Sequence, residues 1–115
     1  MQATDFTLAN ETRSYIFDRL VTCVHRVEGY QAALYDHTEG LESAKFRRAV
    51  GRLARKINEV AAELNFGNKG AAEKAWEEVE DIYESMETIP SNLLVQVGEA
   101  RRLWTVAATE APKGA

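Results

Sequence analysis

The chain has 115 residues, and its 18 Asp and Glu outnumber its 14 Lys and Arg, which gives a formal net charge of −4. This length suits one domain with one hydrophobic core and excludes a second domain. The apolar fraction of 45% and the charged fraction of 28% are ordinary for globular proteins, which argues against wholesale disorder. The net acidity argues mildly against a dedicated nucleic-acid binder.

The sequence also bears on the cellular compartment. A single cysteine cannot form an internal disulfide and suits a reducing environment. The first residues contain no apolar segment of the secretory type. No stretch approaches the run of about 18 apolar residues that would suggest a membrane span. We therefore expect a cytoplasmic protein that makes no membrane contact.

The first predicted element is a long helix over residues 10–37. Apolar residues at 4-3-4-3-4 spacing lie on one face of this helix; they are Ile16, Leu20, Cys23, Val27, Tyr30 and Leu34. A second apolar row, about 100° further round, consists of Phe17, Val21, Val24 and Tyr35. Because one neighbouring helix cannot cover so wide an arc, we expect this helix to contact two neighbours, or one neighbour and a second copy of the chain.

A second long helix is predicted over residues 41–65. Its apolar residues repeat the same spacing over a narrow arc, as expected for a helix that packs on one side only; they are Phe46, Val50, Leu53, Ile57, Val60 and Leu64. The two helices have similar lengths and are joined by only three residues, which predicts an antiparallel hairpin. Gly40 can supply the left-handed residue that closes the first helix.

Two shorter helices are predicted over residues 71–87 and 91–109, after a glycine-rich break and a proline. The apolar face of the third helix consists of Ala72, Trp76, Val79, Tyr83 and Met86. The apolar face of the fourth consists of Leu93, Val97, Ala100, Trp104 and Ala107. For residues 1–9 and 110–115 we expect frayed ends.

These four amphipathic helices predict an all-α fold, namely an antiparallel four-helix bundle built on a long helical hairpin. We expect it to form a single helical domain over residues 1–115. A weaker alternative is a long hairpin whose shorter helices pack elsewhere and which is completed by dimerisation.

The sequence contains no pattern typical of catalysis or of cofactor binding. A nucleophile elbow, a phosphate-binding loop and a dinucleotide fingerprint are all absent. Di-iron bundles need Glu-x-x-His pairs, whereas the nearest pattern here is the reversed His25-x-x-Glu28. Cys23 lies on an apolar helical face, where we expect an inert buried thiol. We therefore predict no catalytic, metal-binding or cofactor-binding residues, no enzyme activity and no small-molecule ligand.

The charges are segregated along the chain. Residues 45–56 contain six cations and no acid, and five of the cations share one helical face that we call the basic stripe; it consists of Lys45, Arg48, Arg52, Arg55 and Lys56. Residues 73–87 contain seven acids and one lysine. Five of these acids recur at 4-3-4-3 spacing and form what we call the acidic row; it consists of Glu73, Glu77, Glu80, Glu84 and Glu87.

Three interpretations of these charges compete. Both rows can be solvated faces that keep the protein soluble. The acidic row can instead meet a basic row, within the fold, on another copy or on a partner, which includes mimicry of a nucleic-acid backbone. Finally, the basic stripe can contact phosphate groups, which arginines bind in a bidentate manner.

Our first functional hypothesis is a non-catalytic helical protein that acts by protein–protein association, as a homo-oligomer or as a small subunit of a larger complex. Its predicted interface consists of Phe17, Val21, Val24, Tyr35, Glu73, Glu77, Glu80 and Glu84. The alternative is a small helical subunit of a ribonucleoprotein, phage or plasmid assembly. In that case the basic stripe contacts nucleic acid.

Overall fold

The computed structural model describes residues 10–37, 41–86 and 89–109, and these residues form a four-helix bundle without a strand. The helices are α1 (Asn10–His37), α2 (Leu41–Phe66), α3 (Lys69–Glu84) and α4 (Ser91–Thr109). The predicted all-α bundle is therefore confirmed. The predicted frayed ends and the capping role of Gly40 concern residues outside the described ranges.

The helices form a ring in which α1 is the common neighbour of α2 and α4. α1 packs closely on α2, and α2 packs closely on α3, whereas α3 and α4 make the sparsest contact of the four neighbouring pairs. The side-chain amide of Gln31 donates a hydrogen bond to the backbone carbonyl of Arg47 at 3.2 Å, which places the late part of α1 beside the early part of α2. Two neighbours within the chain therefore cover the described part of the wide apolar arc of α1.

The predicted apolar faces of all four helices meet in one core. The side chains of Leu20, Leu53, Val79 and Val97 are completely buried in it, one from each helix. Cys23 is also buried, and its burial raises the pKa of the thiol, with a smaller contribution from the nearby carboxylate of Glu99. The thiol is thus neutral and sheltered, as predicted for a core cysteine.

The turn between α2 and α3 is closed by a glycine in the left-handed conformation. Gly67 has φ = +79°, a left-handed conformation that side chains disfavour. Its N–H bonds to the carbonyl of Leu64 at 3.0 Å, and the N–H of Asn68 bonds to the carbonyl of Glu63 at 2.8 Å. These two bonds form a Schellman motif, which satisfies the free carbonyls at the end of α2.

α3 is displaced from the predicted range of 71–87. It begins at Lys69, because the carbonyl of Asn68 accepts the first helical hydrogen bond, from Ala72 at 3.0 Å. It ends at Glu84. The hydroxyl of Ser85 donates a hydrogen bond to the carbonyl of Ile82 at 2.7 Å, and the N–H of Met86 bonds to the carbonyl of Tyr83, three residues earlier, so the α-helical pattern stops there. Met86 therefore lies outside the helix, although it still packs against the core.

α4 begins as predicted beside Pro90. The carbonyl of Pro90 accepts the first helical bond, from Leu94 at 3.0 Å, so the proline immediately precedes the first turn. Its fixed φ suits this position, and its missing N–H costs no helical hydrogen bond there.

The two long helices extend beyond the two short ones. α1 and α2 contain 28 and 26 residues, whereas α3 and α4 contain 16 and 19. At about 1.5 Å per residue, α1 is about 18 Å longer than α3. No described side chain of residues 28–33 and 44–49 is fully buried. We call these two segments the hairpin end.

Two glycines are expected to respond to alanine in opposite directions. An ideal Cβ at Gly29 has no atom within 4 Å, so Gly29→Ala should stabilise the protein by about 0.5–1 kcal/mol through better helix propensity. Gly67→Ala should destabilise it by about 1 kcal/mol, because alanine disfavours the left-handed conformation. Urea unfolding of both variants checks this, and a stabilising Gly67→Ala would contradict the assigned turn.

Candidate protein-interaction site

The second apolar row of α1 is largely used inside the bundle. Val24 is buried, and Phe17 and Val21 are half-buried against the core. The fourth predicted member, Tyr35, has a side chain outside the described set. The described part of this row is thus a packing surface in the chain itself, and little of it is left for a partner.

The acidic row of α3 is mostly exposed. Glu73, Glu77 and Glu84 face solvent and have no ion pair among the described residues, and Glu87 lies outside those residues. Glu80 is half-buried and binds Arg101 of α4 in a bidentate manner, with N–O distances of 2.8 and 2.7 Å. The row is therefore a line of carboxylates of which one already holds a guanidinium.

The Glu80–Arg101 pair bridges α3 and α4, which make the sparsest contact of the four neighbouring helix pairs. Arg101 holds the pKa of Glu80 below its ordinary value, and the carboxylate in turn raises the pKa of the arginine. The guanidinium carbon of Arg101 also lies 5.5 Å from the centre of the Tyr83 ring, within cation–π range. This arrangement shows how an arginine binds to the acidic row.

Of the five residues of the basic stripe of α2, one forms ion pairs with described residues and four do not. Lys45, Arg48, Arg52 and Arg55 are exposed and make no ion pair among the described residues. The ammonium of the fifth member, Lys56, binds the carboxylates of Glu59 and Glu78, which raise its pKa.

The two charged rows do not face each other. Lys56 reaches α3 at Glu78, which is not a member of the acidic row, while the row itself is bridged to α4 through Glu80. Helical spacing of 100° per residue accordingly places the acidic row on the α4 side of α3. Among the described residues, charge compensation between helices therefore involves one member of each row and leaves the other described members exposed.

A third surface, which the sequence analysis did not single out, lies along the contact between α1 and α4. Glu99 accepts two hydrogen bonds from Arg102, at 3.1 and 2.8 Å, and also approaches Arg19 of α1 at 3.5 Å. These arginines lower the pKa of the Glu99 carboxyl. The exposed apolar side chains beside this cluster are Tyr15, Val95 and Val106.

One signal in the sequence could have revealed this surface. Leu93, Leu94 and Val95 are consecutive apolar residues, and a helix can turn only one side of such a run towards the core. Leu93 is completely buried, whereas the other two are exposed by 56% and 61%. The run thus marked an exposed apolar position on this surface, Val95, whereas Leu94 lies about 100° further round α4.

The described residues were also compared with the requirements of other kinds of site. Within residues 10–37, 41–86 and 89–109, no three His, Cys, Asp or Glu side chains converge as metal binding requires. In the same ranges, no helix is both long enough and apolar enough to cross a membrane. Comparison of the chain with protein-family models, curated proteins and solved structures finds no match.

Glu80 is expected to make stability depend on pH. Its pKa is lowered in the folded chain, so its contribution is complete above the ordinary glutamate value of about 4.3 and disappears as the pH falls through the lowered folded value. Glu80→Gln should therefore cost up to about 1 kcal/mol at neutral pH, because the pair is partly exposed, and nothing at low pH.

Urea unfolding of Glu80→Gln at several pH values measures this difference. Glu77→Gln is the matched control, since it removes an exposed carboxylate of the same row that has no ion pair among the described residues. Equal losses in the two variants, or a loss that persists in acid, would show that Glu80 and Arg101 do not stabilise the bundle.

Proposed function

We propose that this chain is a non-catalytic cytoplasmic protein that acts by binding another protein, and that the acidic row of α3 is its main binding surface. The single buried cysteine supports the reducing compartment. The observation that carries the proposal is the exposed line of Glu73, Glu77 and Glu84, which have no ion pair among the described residues. A basic segment of a partner would compensate these charges.

The energetics of the row favour an external partner. Like charges three or four residues apart destabilise a helix by about 0.2–0.5 kcal/mol per pair, so the exposed carboxylates carry a cost that the bundle leaves uncompensated. Glu80 shows that the row accepts an arginine in bidentate geometry. Complementary charges at an interface mainly give orientation and a fast association rate, which suits a reversible contact.

Charge reversal in the acidic row should remove the partner. Glu73→Lys with Glu77→Lys should weaken capture of basic proteins from nuclease-treated host extract by about tenfold or more, because like charges facing each other at an interface cost several kcal/mol. The matched control is Glu11→Lys with Glu28→Lys, which makes the same charge change at exposed positions of α1.

Chemical cross-linking in the same extract locates the contact. A carbodiimide forms amide bonds between carboxylates and lysines that touch, so the wild-type chain should cross-link to its partner through α3. Equal capture by the two double variants, or cross-links that map only to other helices, would refute the proposed surface.

A second candidate function is contact with nucleic acid through the basic stripe. It is favoured by the four exposed cations of α2, which lie along about 15 Å of helix and make no ion pair among the described residues. Against it, the acidic α3 packs directly on α2, and carboxylates about one helix diameter away repel phosphates at moderate salt.

Salt dependence tests this candidate. Four phosphate contacts should give a slope of about −3.6 for log K against log salt on duplex DNA, and Arg48→Gln with Arg52→Gln should reduce the slope by about half. Fluorescence anisotropy with a random duplex measures it, with Lys69→Gln and Lys74→Gln as the charge-matched control on α3. Salt-independent binding, or none at low salt, would remove nucleic acid from consideration.

A further inference from the structure

We propose that the exposed side of the α1–α4 contact is a second docking surface, and that it binds an acidic amphipathic helix of a partner protein. This surface is distinct from the acidic row of α3 and has the opposite charge. With both surfaces, the protein could bind two partners of different chemistry at the same time.

The geometry of the surface suits a short helix. On α1, one exposed line at 4-3-4 spacing consists of Tyr15, Arg19, Thr22 and Arg26. On α4, the facing line consists of Val95, Glu99, Arg102 and Val106. Each line spans 11 residue steps, or about 16 Å, and a helix of about three turns can lie along them. The Arg19–Glu99 contact crosses the surface near the middle of both lines.

The apolar component of the surface lies at its two ends. Val95 is 61% exposed, while Tyr15 and Val106 are 56% and 38% exposed. The guanidinium carbon of Arg19 lies 5.9 Å from the centre of the Tyr15 ring, within cation–π range. Tyrosine and arginine are both enriched in protein interfaces.

The charge of the surface selects an acidic partner. Arg19 and Arg102 share the single carboxylate of Glu99, so this cluster retains one uncompensated positive charge. Arg26 is exposed and has no ion pair among the described residues, which adds a second positive charge. A helix with carboxylates on its flanks would compensate both charges, and apolar residues between them would cover the valines.

Two other occupants fit less well. A phosphate backbone would satisfy the arginines but has no apolar group to cover Val95 and Val106. A second copy placed on the same face by a two-fold axis would bring the net positive cluster against itself. Both occupants therefore serve as outcomes of the test.

The test uses the full chain, labelled with ¹⁵N, and a synthetic helical peptide of about 14 residues with leucines at i, i+3, i+7 and i+10 and glutamates on its flanks. A second peptide has lysine at every glutamate position. We expect saturable binding of the glutamate peptide, with amide shifts concentrated at Tyr15, Thr22, Val95 and Val106. We expect the lysine peptide to bind at least about tenfold more weakly.

Variants locate the contact without disturbing the core, because the altered side chains are exposed. Val95→Ser with Val106→Ser should weaken binding of the glutamate peptide by about tenfold, which corresponds to about 1.4 kcal/mol of binding free energy. Leu94→Ser is the matched control, since Leu94 is equally apolar and 56% exposed but lies on the side of α4 that carries Arg101. Glu73→Lys with Glu77→Lys should also leave this binding unchanged, which keeps the outcome independent of the acidic row.

Several results would overturn the proposal. Equal affinity for the two peptides would show that charge does not select the partner. If Leu94→Ser and the double valine variant lost affinity for the glutamate peptide equally, the assigned surface would be wrong. Tighter binding of oligothymidine at the same amides would identify a nucleic-acid site instead. A homodimer by light scattering that the double valine variant dissociates would identify a second copy as the occupant.

Discussion

The antiparallel pairing of α1 and α2 is the constraint on which the rest of the structure depends. Both helices present apolar residues at an average spacing of 3.5 residues. Their axes must therefore cross at a small angle if these residues are to be buried along the whole contact. Each then has one flank left to cover. α3 covers α2 and α4 covers α1, which is why α3 and α4 need scarcely touch each other.

Polar contacts mark every interhelical seam of this arrangement. Gln31 joins α1 to α2, Lys56 joins α2 to α3, Arg101 joins α3 to α4, and Arg19 joins α4 to α1. Partly exposed pairs of this kind each contribute at most about 1 kcal/mol, so the core supplies the stability. The pairs instead determine which charged side chains are paired within the chain and which remain available to a partner.

The sequence was informative about the core because burial follows helical periodicity. The faces of α1, α2 and α4 lie where their spacing predicted them, and Leu20 and Ile57 are completely buried. The bounds of α3 could not be predicted, because they depend on hydrogen bonds of Asn68 and Ser85 that no spacing rule reveals.

The binding surfaces were predictable only where charge was repeated within one helix. The acidic row and the basic stripe are visible in the sequence for that reason. The cluster of Arg19, Glu99 and Arg102 combines residues that are about 80 positions apart, so only the packing of α4 on α1 brings them together.

The difference in helix length has a consequence for how the molecule opens. At the hairpin end no described side chain of residues 28–33 and 44–49 is fully buried, whereas α1 from Ile16 to Val27 and α2 from Val50 to Leu64 contribute buried side chains to the core. We therefore expect the backbone amides of these two segments to open at a lower free energy than those beside the buried residues of the same helices, and to exchange with solvent through local fluctuations. Lys45 and Arg48 of the basic stripe belong to this segment, whereas Arg52, Arg55 and Lys56 lie beyond it, on the part of α2 that contributes buried side chains. A ligand of the basic stripe would therefore order part of its own binding surface only at the end that carries Lys45 and Arg48.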